Sequence, residues 1–285
     1  LAKPDIVFVQ RECFMLGTSF FERRFSKRAK LIFDFDDSIW LQNVSEANKK
    51  LGFLKNPDKT KEIIRVSDLV IAGNQYLANY ALRFNKNVVI VPTTIETTKY
   101  VTKEIKDKER VVVGWSGSFS TIQHFEFAMD ALKAIKKKYG NRVEFMVIGD
   151  ASYRNEDLGI TGIAWKAATE VQDLHRMDIG IMPLPDDEWA NGKCGLKGLQ
   201  YMAAGIPTIM SPVGVNTEII EEGINGFLAS KTEEWVAKIS LLIESTELRK
   251  KFSENGRRTV EEKYSTNALK AIYLDQFRHV MNPFK

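Results

Sequence analysis

Residues 191–209, Asn191-Gly-Lys-Cys-Gly-Leu-Lys-Gly-Leu-Gln-Tyr-Met-Ala-Ala-Gly-Ile-Pro-Thr-Ile209, read as a glycine-bearing loop, an amphipathic helix and a strand. Gly192 and Gly195 allow the backbone a close approach to a ligand, and the helix that follows aims its free N–H groups and positive dipole end at the loop. Such a place favours an anion. Lys193 in the loop and Lys197 one turn into the helix are expected to bring two ammonium groups to a diphosphate, and Gln200 on the same face suits a ribose hydroxyl.

Outward from this segment, short runs of β-branched and apolar residues alternate with segments of helical period, the pattern of parallel sheets covered by helices. Strands are predicted at Ile6–Gln10, Leu31–Phe35, Leu69–Ala72, Val88–Val91, Val111–Trp115, Val143–Ile148, Ile179–Pro183 and Thr208–Met210. The polar, charged stretch from Thr97 to Arg110 lacks helical period beyond one turn and reads as an interdomain linker. The expected class is therefore α/β. Two doubly wound, Rossmann-like parallel-sheet domains, 1–104 and 105–285, are expected to face a cleft. The first has too few strands and reads as incomplete, consistent with a chain that begins at Leu1 inside a longer polypeptide. A last helix at 264–280 is expected to cross back onto the first domain.

Composition narrows the classes. A chain of 285 residues exceeds the usual size of one core, and 44% hydrophobic residues can fill two. With 41 basic against 37 acidic residues the net charge of +4 is mild and scattered, which argues against a nucleic-acid partner and fits an anionic small molecule or an acidic membrane surface met peripherally. Cys13 and Cys194 provide no disulfide framework or metal cluster, and no apolar run approaches a membrane span, so a cytoplasmic protein is expected. His124, His175 and His279 lack ligand spacing, and no metal site is expected. Trp40, Trp189 and Trp235 read as packing residues.

Lys197-Gly-Leu-Gln-Tyr-Met-Ala-Ala-Gly-Ile-Pro207, followed by Ser211-Pro-Val-Gly-Val-Asn-Thr-Glu-Ile-Ile-Glu-Glu-Gly-Ile-Asn-Gly-Phe-Leu228, resembles the family-4 retaining glycosyltransferases of the two-Rossmann-domain (GT-B) type. The resemblance covers roughly residues 105–275 closely and the first domain more loosely. It implies transfer of a sugar, with retention, from a nucleotide-diphosphate sugar to a glycan, lipid-linked or other acceptor, as in polysaccharide or glycolipid assembly at the inner face of the membrane. In the family a spaced pair of glutamates frames this helix; Gly192 and Gln200 stand in those places, so the pair is absent. Lys197 matches a lysine with which a subgroup holds the donor diphosphate. Gly117 and Ser118, after the first strand of the second domain, are expected to offer N–H groups to a phosphate. Trp165, near Glu170, lies where the family's nucleotide base rests, and Gly214, Val215, Asn216 and Glu218 resemble its loop under the donor.

The chemistry needs stabilisation of a departing diphosphate, which Lys193, Lys197 and the loop amides are expected to supply without metal or other cofactor. Arg11, Glu12, Asp36 and Asp37 are the acceptor-side candidates. Two alternatives stand beside this reading. Leu31-Ile-Phe-Asp-Phe-Asp-Asp-Ser38 matches the strand-plus-Asp-x-Asp motif of haloacid-dehalogenase-like, magnesium-dependent phosphatases, with Asp34 as nucleophile, Asp36 as acid and base, and Asp150 with Asp157 as the later acidic motif. The other is a nucleotide-binding relative without turnover.

Overall fold

The computed structural model describes residues 4–14, 17–41, 56 and 58–282. It falls into two compact units. Unit 1 gathers residues 1–93, 187–194 and 269–285; unit 2 gathers 94–186 and 195–268.

Unit 1 holds a parallel sheet of four strands, β1 (Ile6–Gln10), β2 (Lys30–Phe35), β3 (Leu69–Ala72) and β4 (Val88–Ile90), in the order β1-β2-β3-β4. β2 is buried along nearly its whole length because it lies inside the sheet, which is why its sequence is a continuous apolar run rather than an alternation. Phe33 and Phe35 stack at 5.2 Å in a core that includes Ile63 and Ile64 of α2 (Lys59–Val66) and Leu77 and Ala81 of α3 (Gln75–Leu82). A shorter helix, α1 (Phe20–Ser26), follows β1. The Asn74 side chain caps α3 by accepting from Leu77 N–H at 2.8 Å. Its amide donates to the Lys193 carbonyl at 3.1 Å, while Gly192 lies so close to Ser38 that a Cβ there would sit 1.9 Å from the hydroxyl. These contacts attach 187–194 to unit 1.

Unit 2 holds five parallel strands, β5 (Val111–Ser116), β6 (Val143–Ile148), β9 (Ile179–Met182), β10 (Thr208–Met210) and β11 (Phe227–Leu228), with a small hairpin of β7 (Arg154–Asn155) and β8 (Ile160–Thr161) beside them. Their order, β11-β10-β9-β5-β6, reverses direction between β5 and β9: the chain first steps outward to β6 and then builds on the other side of β5. Helices α4 (Ile122–Glu126), α5 (Met129–Tyr139), α6 (Glu170–Leu174), α8 (Leu196–Ala203), α9 (Asn216–Ile219), α10 (Thr232–Glu244) and α11 (Thr246–Thr259) belong to this unit, while α7 (Glu188–Asn191) belongs to unit 1. Tyr201 of α8 is wholly buried above Gly180, where a Cβ would meet its ring at 2.6 Å. Glycine at that place lets α8 lie directly on β9.

The eight predicted strands all form, four of them with the predicted ends. The two-residue strand β11 and the hairpin carry too little apolar sequence to signal themselves. The expected linker differs most. Instead of running free, it packs within unit 2: Lys103 and Lys108 reach the buried Asp178 carboxylate at 3.0 and 2.8 Å, and Lys103 also donates to the carbonyl of His175. Charges that read as solvated are the counter-ions of one buried acid. The division between units accordingly follows Thr93 rather than residue 104. The last helix, α12 (Thr266–Met281), sides with unit 1 from Leu269 onward, where Phe277 meets Phe8 edge-on at 5.9 Å.

Candidate functional site

In a doubly wound sheet, ligands bind outside the carboxyl ends of the strands where the order reverses. In unit 2 that place is the end of β5 and β9. Tyr201 ties α8 to it: the Tyr201 hydroxyl accepts from the Ser116 N–H at 2.7 Å, at the last residue of β5. Gly195 begins α8 in the left-handed region at φ +70°, and a Cβ there would lie 2.3 Å from the Ile219 side chain. No side chain caps α8, so its first amides are left to a ligand or to water.

Lys197 sits on that first turn. Its ammonium donates to the Gln200 Oε1 at 3.2 Å. Burial lowers its pKa below the ordinary lysine value, against the pull of Glu170. Gln200 in turn donates through Nε2 to the Tyr100 hydroxyl at 2.6 Å and to Glu170 at 3.2 Å. Glu170 also accepts from Tyr100 at 2.7 Å, from the Trp165 indole at 2.9 Å and from Lys99 at 3.1 Å. Burial pushes the Glu170 carboxyl upward, but the hydrogen bonds from Tyr100, Trp165 and Lys99 outweigh it and hold it below its usual range. The result is a charged carboxylate fixed by four donors. It stands behind Lys197 and holds Trp165 by its indole nitrogen while the residue remains 47% exposed.

Gln200, expected to meet a ribose, is instead buried and bonded within this network. Lys197 is one helical turn away, but Tyr100 and Glu170 come from distant segments, which helical spacing alone does not reveal. Tyr100 and Lys99 escaped the sequence reading because they sit in the stretch taken for a linker.

Gly117 and Ser118 depart from expectation as well. The Gly117 amide donates to the Ile148 carbonyl at 2.9 Å and the Ser118 amide to Thr121 Oγ1 at 3.0 Å, the latter as half of a capping box. Neither is turned outward. Gly214 takes a positive φ of 53°, and Asn216, buried, donates to the Ser211 carbonyl at 2.9 Å, shaping the loop before α9. Val215 lies 3.4 Å from the place of a Gly195 Cβ, so this loop and the start of α8 adjoin; Glu218 is exposed.

The remaining candidates belong to unit 1. Lys193 lies 3.7 Å from Asp37 and over the Trp189 ring at 5.4 Å, so its charge already has partners. Gly192 is a glycine because of Ser38 rather than a ligand. Arg11 adopts φ +64°, rare for a side-chain-bearing residue. Its guanidinium is clasped by Asp36 at 2.8 Å and by Asp37. Burial raises Asp37, with Lys193 and Arg11 opposing. Asp34, two residues before Asp36, is pushed up to about 6 by burial and by Asp36. Glu12 serves as counter-ion, at 2.9 Å, to Lys59, which is 3% exposed.

The phosphatase motif separates. Asp34 lies on β2 and Asp36 just after it in the sheet of unit 1, whereas Asp150 follows β6 in the sheet of unit 2. Asp157 pairs with Lys133, and Asp150 accepts from Ser152. Among the described residues no group of three His, Cys, Asp or Glu side chains is placed to hold a metal ion.

Comparison with known proteins agrees with the geometry. Residues 110–245 match the family model described as glycosyl transferases group 1. An uncharacterized glycosyltransferase of Methanocaldococcus jannaschii is 26% identical over 307 aligned residues, covering 98% of this chain and 76% of that one. HepE of Anabaena, solved with UDP-glucose, superposes with a TM-score of 0.70 at 15% identity, covering 96% of this chain and 78% of that one. TarM of S. aureus, solved with UDP, superposes with a TM-score of 0.66 at 17% identity over 90% of this chain; the chain spans 51% of TarM, about half its length. The match to the group 1 glycosyltransferase model thus falls across the sheet of unit 2, and the chain shares the two-unit parallel α/β fold of these glycosyltransferase structures.

Proposed function

We propose that this protein transfers a sugar from a nucleotide-diphosphate donor, with the diphosphate held at the start of α8 and Lys197 as the cation that stabilises it. One observation carries the reading. A half-buried lysine stands on the uncapped first turn of a helix tied to the reversal point of the sheet, with a buried amide and carboxylate behind it. When the bond between the anomeric carbon and the phosphate oxygen breaks, charge grows on the diphosphate. A preorganised cation and a helix N-terminus stabilise that charge more than they stabilise the bound donor. The acceptor hydroxyl oxygen bonds to the anomeric carbon as that bond breaks, and its proton passes to the departing diphosphate or to water.

Trp165, exposed on one face and fixed by Glu170, suits the base of the nucleotide. The loop Gly214–Val215–Asn216 adjoins the helix start and suits the donor's sugar side, with Glu218 at its rim. By analogy with the UDP-glucose complex of HepE, a uridine diphosphate hexose is the first donor to try. Arg11, Asp36 and Asp37 remain the acceptor-side candidates, supported by the unusual backbone of Arg11. Lys193, engaged by Asp37, is assigned no phosphate. Stabilisation by Lys197 and the helix dipole leads us to expect turnover without a divalent ion, while retention and a glycan or lipid-linked acceptor are expected from the resemblance to the family-4 retaining enzymes.

The test compares wild type with Lys197→Ala. UDP at about a hundredfold excess over its dissociation constant is expected to stabilise the wild type by about 2.7 kcal/mol. That shift should largely vanish in the variant, and turnover should fall on the order of 10²- to 10³-fold. Donor turnover that persists in EDTA checks the metal-free step. No stabilisation by any nucleotide would overturn the reading.

A further inference from the structure

The two oxygens of the Glu170 carboxylate are divided between two tasks. Oε1 accepts from the Trp165 indole at 2.9 Å and from the Gln200 amide at 3.2 Å, so a single oxygen joins the exposed ring to α8. Oε2 accepts from the Tyr100 hydroxyl at 2.7 Å and from Lys99 at 3.1 Å, which fixes the carboxylate from its other side. Gln200 is the link between acid and cation. Both hydrogens of its amide are spent, one on Glu170 and one on Tyr100 at 2.6 Å, and its oxygen accepts from Lys197. Lys197 is half-buried, yet among the described residues it makes no ion pair. An ammonium group has three donors, of which Gln200 takes one. A carboxylate in the place of Gln200 would close on Lys197 and neutralise it. A neutral amide carries the orientation of Glu170 forward and leaves the lysine charge for an incoming anion.

We propose that Glu170 is a positioning residue for both ends of the donor site, acting directly on Trp165 and, through the Gln200 amide, on Lys197. The inference rests on the donor reading and deepens it. Base and diphosphate are then not held independently, because the ring that meets one and the cation that meets the other are tied to the same oxygen. In this arrangement Glu170 touches neither part of the donor. Its second effect is electrostatic: burial lowers the Lys197 pKa, and Glu170 opposes that fall. Among the described residues Glu170 of α6 is the charged group that acts on Lys197, while Gln200 and Tyr100 are neutral and Lys99 is paired with Glu170. An anion binds the protonated lysine, so affinity is full below the Lys197 pKa and is lost as pH rises through it. Removal of the Glu170 charge moves that loss to lower pH.

Calorimetric titration of the full chain with UDP, and with pyrophosphate, which has no base, tests the proposal. Wild type should bind both, and Lys197→Ala should lose both. Glu170→Gln keeps the shape of the side chain and removes its charge. It should weaken UDP on the order of tenfold and pyrophosphate by a similar factor, although pyrophosphate carries nothing for Trp165 to meet. The alkaline loss of UDP affinity should begin at lower pH in Glu170→Gln than in wild type; the titration of UDP itself is common to both proteins and cancels in the comparison. Tyr100→Phe leaves both charges in place and should weaken both ligands roughly threefold without moving the alkaline limb. Gln200→Glu should pair Lys197 and weaken UDP roughly tenfold. Urea denaturation identifies the variants that fold. Three results overturn the proposal while leaving the donor reading intact: pyrophosphate affinity in Glu170→Gln equal to wild type, an alkaline limb that does not move, or tighter UDP binding by Gln200→Glu. Wild type that binds neither ligand overturns the donor reading, and the proposal with it.

Discussion

Asp34 shows how far one residue's surroundings can set its chemistry. Its carboxyl, pushed up to about 6 by burial and then by Asp36, holds its proton more tightly in the native protein than in the unfolded chain, where it titrates near 3.9. Between about pH 4 and pH 6 the native state therefore binds the extra proton, and stability from this group falls as pH rises, levelling off above about 6. The size is on the order of 2–3 kcal/mol. Urea denaturation at pH 4 to 7 should show wild type losing stability relative to Asp34→Asn across that window. A constant difference between the two would contradict the burial account. The same substitution addresses the phosphatase motif: Asp34→Asn should leave donor turnover within the range of a mild structural change, because Asp34 lies in unit 1 and the proposed diphosphate site in unit 2.

At the scale of the element, α8 is placed by small residues and one hydroxyl. Gly180 admits the Tyr201 ring, Gly198 admits Met210, and Tyr201 closes the arrangement by accepting the Ser116 amide. Tyr201→Phe removes an acceptor from a buried N–H and should destabilise the fold by about 1–3 kcal/mol. Chemical denaturation reads this directly. UDP affinity should also weaken, since the helix start is located through this contact; a variant as stable as wild type would show that the hydroxyl does not hold α8. The capping of α3 by Asn74 is the counterpart in unit 1, and there the cap also secures the Lys193 segment. This is why a loop that reads as continuous with α8 sorts with the other unit.

For the whole molecule, each unit has its own sheet and its own buried core, so ligand binding to one need not report on the other. Hydrogen exchange with and without saturating UDP should show increased protection in 94–186 and 195–268, greatest around Lys197, Trp165 and Glu170. The strands of residues 1–93 should change least. Protection confined to unit 1 would place the nucleotide elsewhere and remove the basis for the donor assignment. Among the described residues no helix is long and apolar enough to cross a membrane.

Local pattern was enough to locate the strands, the loop-to-helix segment at 191–209 and the place of Lys197 on its first turn, because β-branched runs, glycines and helical spacing act within a few residues. It was not enough for the roles of Tyr100, Glu170 and Gln200, for the pairing of Lys193 with Asp37, or for Lys103 and Lys108 as partners of Asp178. Each of these depends on charges or hydrogen-bonding groups brought from distant segments into one buried place. Burial makes an unpaired polar group costly, and only the closed fold decides which partner removes that cost.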